Sequence, residues 1–255
     1  PVTWSVCVCP ESRCGGCARR VSDAPAAGCT AAGLRTDAYR PGDGMTTQER
    51  RALADEVQRR ADVAGIAVPE DALVRIGEYL DVLSVWSGTM NLTALPLTLP
   101  LAEESVNRLV MESVFASPLV SMTGGSWCDL GSGGGSPALP LWALRSRWRL
   151  HMVESRSRKC AFLREATRRM GALDAKVYCE RFEMCSVATG AMDLVSMRAV
   201  RWDAAVAALV LRILRPSGAL LVFGEQPIDQ MFVVEAHRPL PGATPSTVWL
   251  LRRRS

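Results

Sequence analysis

The sequence predicts an α/β fold: a mostly parallel sheet with helices on its faces, an antiparallel hairpin at one edge and a helical block in front. Three patterns carry this expectation. From residue 126 onward, short apolar runs alternate with segments of helical period, as βαβ units do. The first of these runs ends in a glycine loop, Asp129-Leu-Gly131-Ser-Gly133-Gly-Gly135. The last two runs are joined only by a Pro/Gly-rich connection, which leaves no room for a crossover helix.

The elements follow in chain order. Thr46 and Glu49 form a capping box, Leu53, Val57 and Ala61 continue at helical spacing, and Gly65 stops the helix. A second helix is expected from Pro69 to Ser87, with its stripe at Leu73, Ile76, Leu80, Leu83 and Trp86. Asn91-Leu92-Thr93 falls in a loop, and a third helix is expected over 101–116. Strands are expected at Ser126–Leu130, Arg149–Glu154, Ala175–Cys179, Met192–Met197, Gly218–Gly224, Met231–Ala236 and Thr247–Arg252. Helices are expected over 137–146, 157–170 and 202–214. Residues 1–44 read as a disordered extension ahead of a start at Met45, 45–120 as a helical cap and 121–255 as the α/β domain.

Composition narrows the classes. The 255 residues are 48% hydrophobic and 22% charged, enough for a sizeable core. A net charge of +4 permits an anionic partner without requiring one. Lys159 and Lys176 are the only lysines, a bias that a GC-rich genome explains better than RNA binding does. There is no run of about 18 apolar residues and no basic-then-apolar leader, so the expected compartment is the cytoplasm. Five of the nine cysteines are Cys7, Cys9, Cys14, Cys17 and Cys29. Cys14-Gly-Gly-Cys17 has zinc-site spacing, but the surrounding stretch has no apolar period. Cys128, Cys160, Cys179, Cys185, His151 and His237 lack ligand spacing, so no metal is expected. Trp86 and Trp127 read as core.

The glycine loop carries the chemistry. Glycines let the backbone turn tightly and approach a ligand, and the next helix aims its N–H groups at the same place. The dinucleotide fingerprint needs a third glycine where Ser136 stands, which disfavours a dehydrogenase. An acid, Asp129, stands two residues before the first glycine instead. That suits the ammonium of S-adenosylmethionine better than a diphosphate. Glu154, at the end of the second strand and 21 residues after Gly133, is placed to take ribose hydroxyls.

From about Trp86 to Gln226 the chain resembles the RsmG family of 16S rRNA guanine-N7 methyltransferases, formerly called glucose-inhibited division protein B. The matching pieces are Trp86-Ser-Gly-Thr-Met-Asn91-Leu-Thr93, Arg108-Leu-Val-Met-Glu112-Ser113, the block Asp129 to Leu141, Glu154-Ser-Arg-Ser-Arg158-Lys159-Cys-Ala-Phe162-Leu163, Arg181-Phe-Glu183 and Ser196-Met-Arg198-Ala199. The resemblance implies a Rossmann-like class I S-adenosylmethionine-dependent methyltransferase, with a helical N-terminal cap on a seven-stranded sheet. It implies that Asp129, Gly131, Ser132 and Gly133 hold the methionine part of the donor, that Glu154 holds the ribose, and that Phe182 and Glu183 lie near the adenine. Asn91, Arg108 and Arg198 would face 16S rRNA in the 30S subunit, with the enzyme acting as a monomer. The chain departs from the family at Leu109, where a His is usual, at Glu112 for Asp, and at Gly224 for Lys.

Guanine N7 carries an exposed lone pair, so methyl transfer to it needs placement more than a general base. Arg198 is the candidate to hold a phosphate or guanine O6, against a purely structural ion pair. The cations Arg156, Arg158, Lys159, Arg164, Arg168 and Arg169 form either a phosphate-binding face or an ordinary solvated helix face. Competing functions are a methyltransferase for a small molecule or protein, and a cofactor-binding protein without catalysis.

Overall fold

The computed structural model describes residues 44–226 and 229–254. The extension and the Cys14-x-x-Cys17 spacing lie outside the described residues. Seven strands form one sheet: β1 Gly125–Leu130, β2 Trp148–Val153, β3 Lys176–Tyr178, β4 Met192–Arg198, β5 Leu214–Phe223, β6 Phe232–Leu240 and β7 Ser246–Arg253. Their spatial order is β3-β2-β1-β4-β5-β7-β6. β1 to β5 run parallel, and β7 joins β5, and β6 joins β7, in antiparallel fashion. The order reverses between β1 and β4, so a crevice opens at the carboxyl ends of those two strands.

Helices α1 Thr47–Val63, α2 Glu70–Ser87, α3 Glu103–Val106 and α4 Glu112–Ala116 precede the sheet, followed by α5 Ala138–Leu144, α6 Ser157–Arg169 and α7 Ala204–Ile213. The capping box forms: the Glu49 N–H donates to Thr46 Oγ1 at 3.2 Å and the Thr46 N–H to Glu49 Oε2 at 2.7 Å. Asp81, fully buried on α2, accepts from the Met45 N–H at 2.8 Å and from Arg50, which fixes the start of α1.

Period-2 alternation splits the core in two. Trp127, Leu150, Met152, Leu194 and Leu221 point to the face covered by α1, α2, α5 and α6. Cys128, Leu130, Val153, Val195 and Leu220 point to the face covered by α7. The helices ahead of the sheet share their core with the first face, through Val57, Ile76, Tyr79 and Leu83.

Several expected boundaries move. The helix expected over 101–116 is broken by a π-helical turn, Asn107–Met111, between α3 and α4. Residues 109–114 are buried without a break, so there is no one-sided apolar stripe from which periodicity could report the turn. The helix expected over 137–146 spans Ala138–Leu144, because Arg145 leaves helical geometry. The helix expected from 202 starts at Ala204, since the Asp203 carboxylate caps the N–H groups of Ala205 and Val206, both at 3.0 Å. β5 begins at Leu214, not Gly218, running straight out of α7. β6 continues past Ala236 to Leu240 and takes in Pro239, which is tolerated because β6 is an edge strand.

Candidate functional site

The glycine loop leaves β1 at the reversal of strand order. The N–H groups of Gly131 and Ser132 donate to the Val153 carbonyl at 2.8 and 3.2 Å, which ties the loop to the end of β2. Gly131 has φ +72°, and a Cβ on it would meet Val200 Cγ2 at 2.8 Å, so the tight turn admits only glycine. A Cβ on Gly134 would stand 2.7 Å from the Leu92 carbonyl oxygen. The Asn91-Leu92-Thr93 loop therefore packs directly on the glycine loop. The Tyr79 hydroxyl, from α2, donates to the Gly134 carbonyl at 2.8 Å and holds the other side.

Asp129 is 3% exposed and shares its strand face with Trp127. The Ser196 hydroxyl of β4 donates to Asp129 Oδ1 at 2.5 Å, and the Trp127 indole N–H donates to Ser196 Oγ at 2.8 Å. Ser132 donates to the Asp129 backbone carbonyl at 3.2 Å. Burial pushes the Asp129 carboxyl up to about 6; the hydrogen bonds from Ser196 and Ser132 and the field of Arg198 pull it back. No cation touches this carboxylate among the described residues, which leaves lone pairs for an incoming one.

Glu154 is also buried. Its Oε2 accepts from the Gly133 N–H at 3.0 Å and its Oε1 from the Arg156 N–H at 2.8 Å. It thus holds the loop and the start of α6 with one lone pair on each oxygen and keeps the others for hydroxyl donors. Gly131, Glu154, Phe182 and Glu183 line one cavity of about 250 Å³. Phe182 lies on a short 3-10 turn, Phe182–Met184, with its ring edge beside Gly131. Of the expected donor residues, the structure brings Gly131, Glu154, Phe182 and Glu183 to one cavity, while Asp129 lies buried at the start of the same loop and does not line it. The gap that a Gly131 Cβ would fill is the approach between them.

A larger cleft of about 1010 Å³ opens beyond the ends of β4 and β5, lined by Arg108, Glu112, Arg198, Arg201, Trp202 and Gly224 among others. Glu112, 1% exposed, bridges two arginines: Arg108 Nη1 at 2.6 Å and Arg198 Nη1 at 3.0 Å. Arg198 also donates to the carbonyls of Arg108 at 2.9 Å and Ser136 at 2.7 Å. The Ser136 hydroxyl returns to the carbonyls of Arg108 and Leu109 at 3.0 and 3.1 Å. Arg198 thus links the π turn to the exit of the glycine loop while facing the cleft. Arg108 shares the cleft. Asn91 is exposed and lines neither cavity.

The basic helix divides. Arg168 pairs with Glu165 at 2.7 Å, Arg169 with Glu78 at 2.6 Å, and Arg164 reaches the Val177 carbonyl at 3.3 Å. Arg156 and Arg158, at the start of α6, are exposed, and the Lys159 Nζ reaches over the loop, 3.9 Å from where a Gly133 Cβ would lie. Sequence reasoning did not single out Tyr79 or Ser196, and it read Trp127 only as core. Glu112 was named in sequence within the Arg108–Ser113 piece and as a Glu where the family has Asp; its i+4 spacing from Arg108 was the further signal for their pairing.

The sequence profile of the family described as rRNA small subunit methyltransferase G matches residues 73–249. A protein named ribosomal RNA small subunit methyltransferase G from Stenotrophomonas maltophilia strain K279a is 34% identical over 171 residues, covering 67% of this chain and 77% of the relative. The protein of the same name from Xanthomonas campestris pv. campestris strain B100 is 33% identical over 186 residues, covering 72% of this chain and 82% of the relative. Among solved structures, a SAM-dependent methyltransferase from Aquifex aeolicus aligns with a TM-score of 0.48 at 9% identity, over 59% of this chain and 93% of that one.

Proposed function

The chain belongs to the rRNA small subunit methyltransferase G family, and on that premise we propose that it methylates N7 of a guanine in 16S rRNA, with S-adenosylmethionine as donor. The observation that carries the reading is a buried carboxylate with no cation of its own, Asp129, beside a glycine turn and a cavity walled by Glu154 and Phe182. Asp129 receives the donor's ammonium, Glu154 the ribose hydroxyls, and Phe182 and Glu183 flank the adenine. Gly131, Ser132 and Gly133 shape the floor. When bound, the donor supplies an electrophilic methyl on sulfonium.

The acceptor side needs no strong base, because N7 attacks with a lone pair it already has. It needs the base held in line, and the cleft beyond β4 and β5 has the size for it. Arg198 is the group proposed to set that alignment, by fixing the glycine-loop exit against the π turn and presenting its remaining N–H donors to guanine O6 or a phosphate. Arg108 shares the cleft, while Asn91, whose neighbour Leu92 packs on the glycine loop, is the outermost residue proposed to meet the RNA. Arg156, Arg158 and Lys159, which have no anionic partner among the described residues, are proposed to contact the RNA backbone.

Incubating the protein with labelled S-adenosylmethionine and 30S subunits that lack the modification tests this. Label in 16S rRNA, mapped by mass spectrometry to one guanine, is the expected result. Label on protein or on small molecules instead would move the reading to a different acceptor. Tight binding of S-adenosylhomocysteine without any transfer would reduce it to a cofactor-binding role.

A further inference from the structure

Asp129 does not stand alone in its pocket. Ser196 is its register partner on β4, so the two side chains leave the same face of adjacent parallel strands. Trp127, two residues before Asp129, is on that face too. The three form a buried chain: indole N–H to Ser196 Oγ at 2.8 Å, then Ser196 O–H to Asp129 Oδ1 at 2.5 Å. Its direction is fixed by chemistry. An indole nitrogen can only donate, so it occupies a lone pair of the serine oxygen and leaves the hydroxyl proton to point at the carboxylate. An oxygen that receives this proton is disfavoured as the carrier of one of its own.

We infer that Ser196, oriented by the Trp127 indole, is a positioning residue that keeps the Asp129 carboxylate ionised and aimed at the donor's ammonium. The inference rests on the reading of Asp129 as the ammonium-binding group. Trp127, expected to be mere core, then has a second role through its one polar atom.

The surroundings leave this task to few groups. Burial acts on Asp129 in the opposite direction, and the bond from Ser196 is foremost among the influences that offset it, ahead of Ser132 and Arg198. The other titratable groups near it are engaged elsewhere. Glu154, at the end of β2, holds the N–H groups of Gly133 and Arg156. Tyr79 of α2 holds the Gly134 carbonyl. Glu112 of α4 holds Arg108 and Arg198. The Cys128 thiol on β1 faces the opposite core. Without the serine proton, a larger share of the carboxyl would be neutral at pH 6 to 7, and there it would attract a cation less well.

Two measurements on the full chain test this: the titration of the Asp129 carboxyl carbon by NMR in ligand-free protein, and calorimetry with S-adenosylhomocysteine between pH 6 and 8. Ser196→Ala should raise the Asp129 midpoint by about one pH unit. S-adenosylhomocysteine affinity should then fall about fivefold at pH 6 and return close to wild type near pH 8. Trp127→Phe, which keeps a buried ring and removes the N–H, should shift both readouts the same way by less. It serves as the test if Ser196→Ala does not fold. An unmoved or lowered Asp129 midpoint in these variants overturns the inference. A raised midpoint with pH-independent ligand affinity overturns the assignment of Asp129 to the ammonium, and the inference with it.

Discussion

Two carboxylates lie buried at the same edge of the sheet and are treated in opposite ways. Glu112, in the acceptor cleft, has a guanidinium on each oxygen, from Arg108 and Arg198. Asp129, in the donor site, has hydrogen bonds from serine and only the more distant field of Arg198. Burying a charge is costly unless it is paired. The pairing of Glu112 makes it architecture: it holds two arginines in place. Asp129 has no paired cation among the described residues, which is what the proposed role as receptor for a cationic ligand requires.

The sharpest break of this contrast is in donor affinity. Asp129→Asn should weaken S-adenosylhomocysteine binding about a hundredfold, the order expected when one member of a desolvated ion pair is lost. Glu112→Gln should leave it within about threefold, since the Glu112 carboxylate is engaged by Arg108 and Arg198 at the other cleft. Calorimetry at pH 7.5 decides, and equal losses in the two variants would erase the distinction.

Stability should move in opposite directions. An aspartate in the unfolded chain titrates near 3.9, and Asp129 in the fold titrates at about 6. The folded chain therefore holds this proton more tightly. The stability this confers is complete below about pH 4 and is lost as the pH rises through 6. Ligand-free Asp129→Asn should consequently exceed wild type by up to about 3 kcal/mol at pH 8 and show no such gain at pH 4. Glu112→Ala should instead cost about 2 kcal/mol at pH 8, because two guanidiniums lose their counter-charge while solvent reaches Arg108 in part. Denaturant unfolding at the two pH values measures both.

The exterior of the site repeats the theme more weakly. On α6 the arginines at the C-terminal end have partners and those at the start do not. Arg156→Glu with Arg158→Glu should lower 16S rRNA affinity about tenfold in moderate salt and reduce the dependence of log affinity on log salt by about two. Donor affinity should stay as it was. An unchanged salt slope would return these residues to the status of a solvated face.

The residues of the proposed donor half could be picked out in the sequence because they are local. One loop, 129–135, and one strand-end acid at 154 place the glycines and both carboxylates, and parallel-sheet topology then brings them together. In the proposed acceptor half, Arg108 and Arg198 were named from the resemblance, but their joint contacts with Glu112 and Ser136 were not, because these residues meet only in three dimensions. Arg198 reaches Glu112 and Ser136 across 86 and 62 residues of chain, and it does so over a π turn that hydrophobic periodicity does not distinguish from α-helix. Ser196 was hidden for a related reason: a serine within an apolar strand carries no mark of the hydroxyl's target until register sets it against Asp129. The early end expected for β6 came from reading the Pro/Gly-rich connection as loop, where the edge position of β6 admits Pro239; the late start expected for β5 missed that the strand runs directly out of α7.

The smallest expected effect lies at the joint between the two halves. Ala199 follows Arg198 and precedes Val200, and it has φ +55°, the left-handed region that L-residues with a Cβ avoid. It is the only such non-glycine among the described residues. Its conformation turns Arg198 toward the π turn on one side and wedges Val200 against Gly131 on the other. Ala199→Gly relieves about 1 kcal/mol of strain and gives back part of it as unfolded-chain entropy, so stability should rise by about 0.5 kcal/mol. The same freedom loosens the link between acceptor arginine and donor turn, so the rate of methyl transfer should fall by about two- to threefold with donor affinity unchanged. A variant that is more stable and equally fast would make the strained residue an accident of the loop; one that is more stable and slower would make it the hinge through which the two carboxylate sites are kept in register.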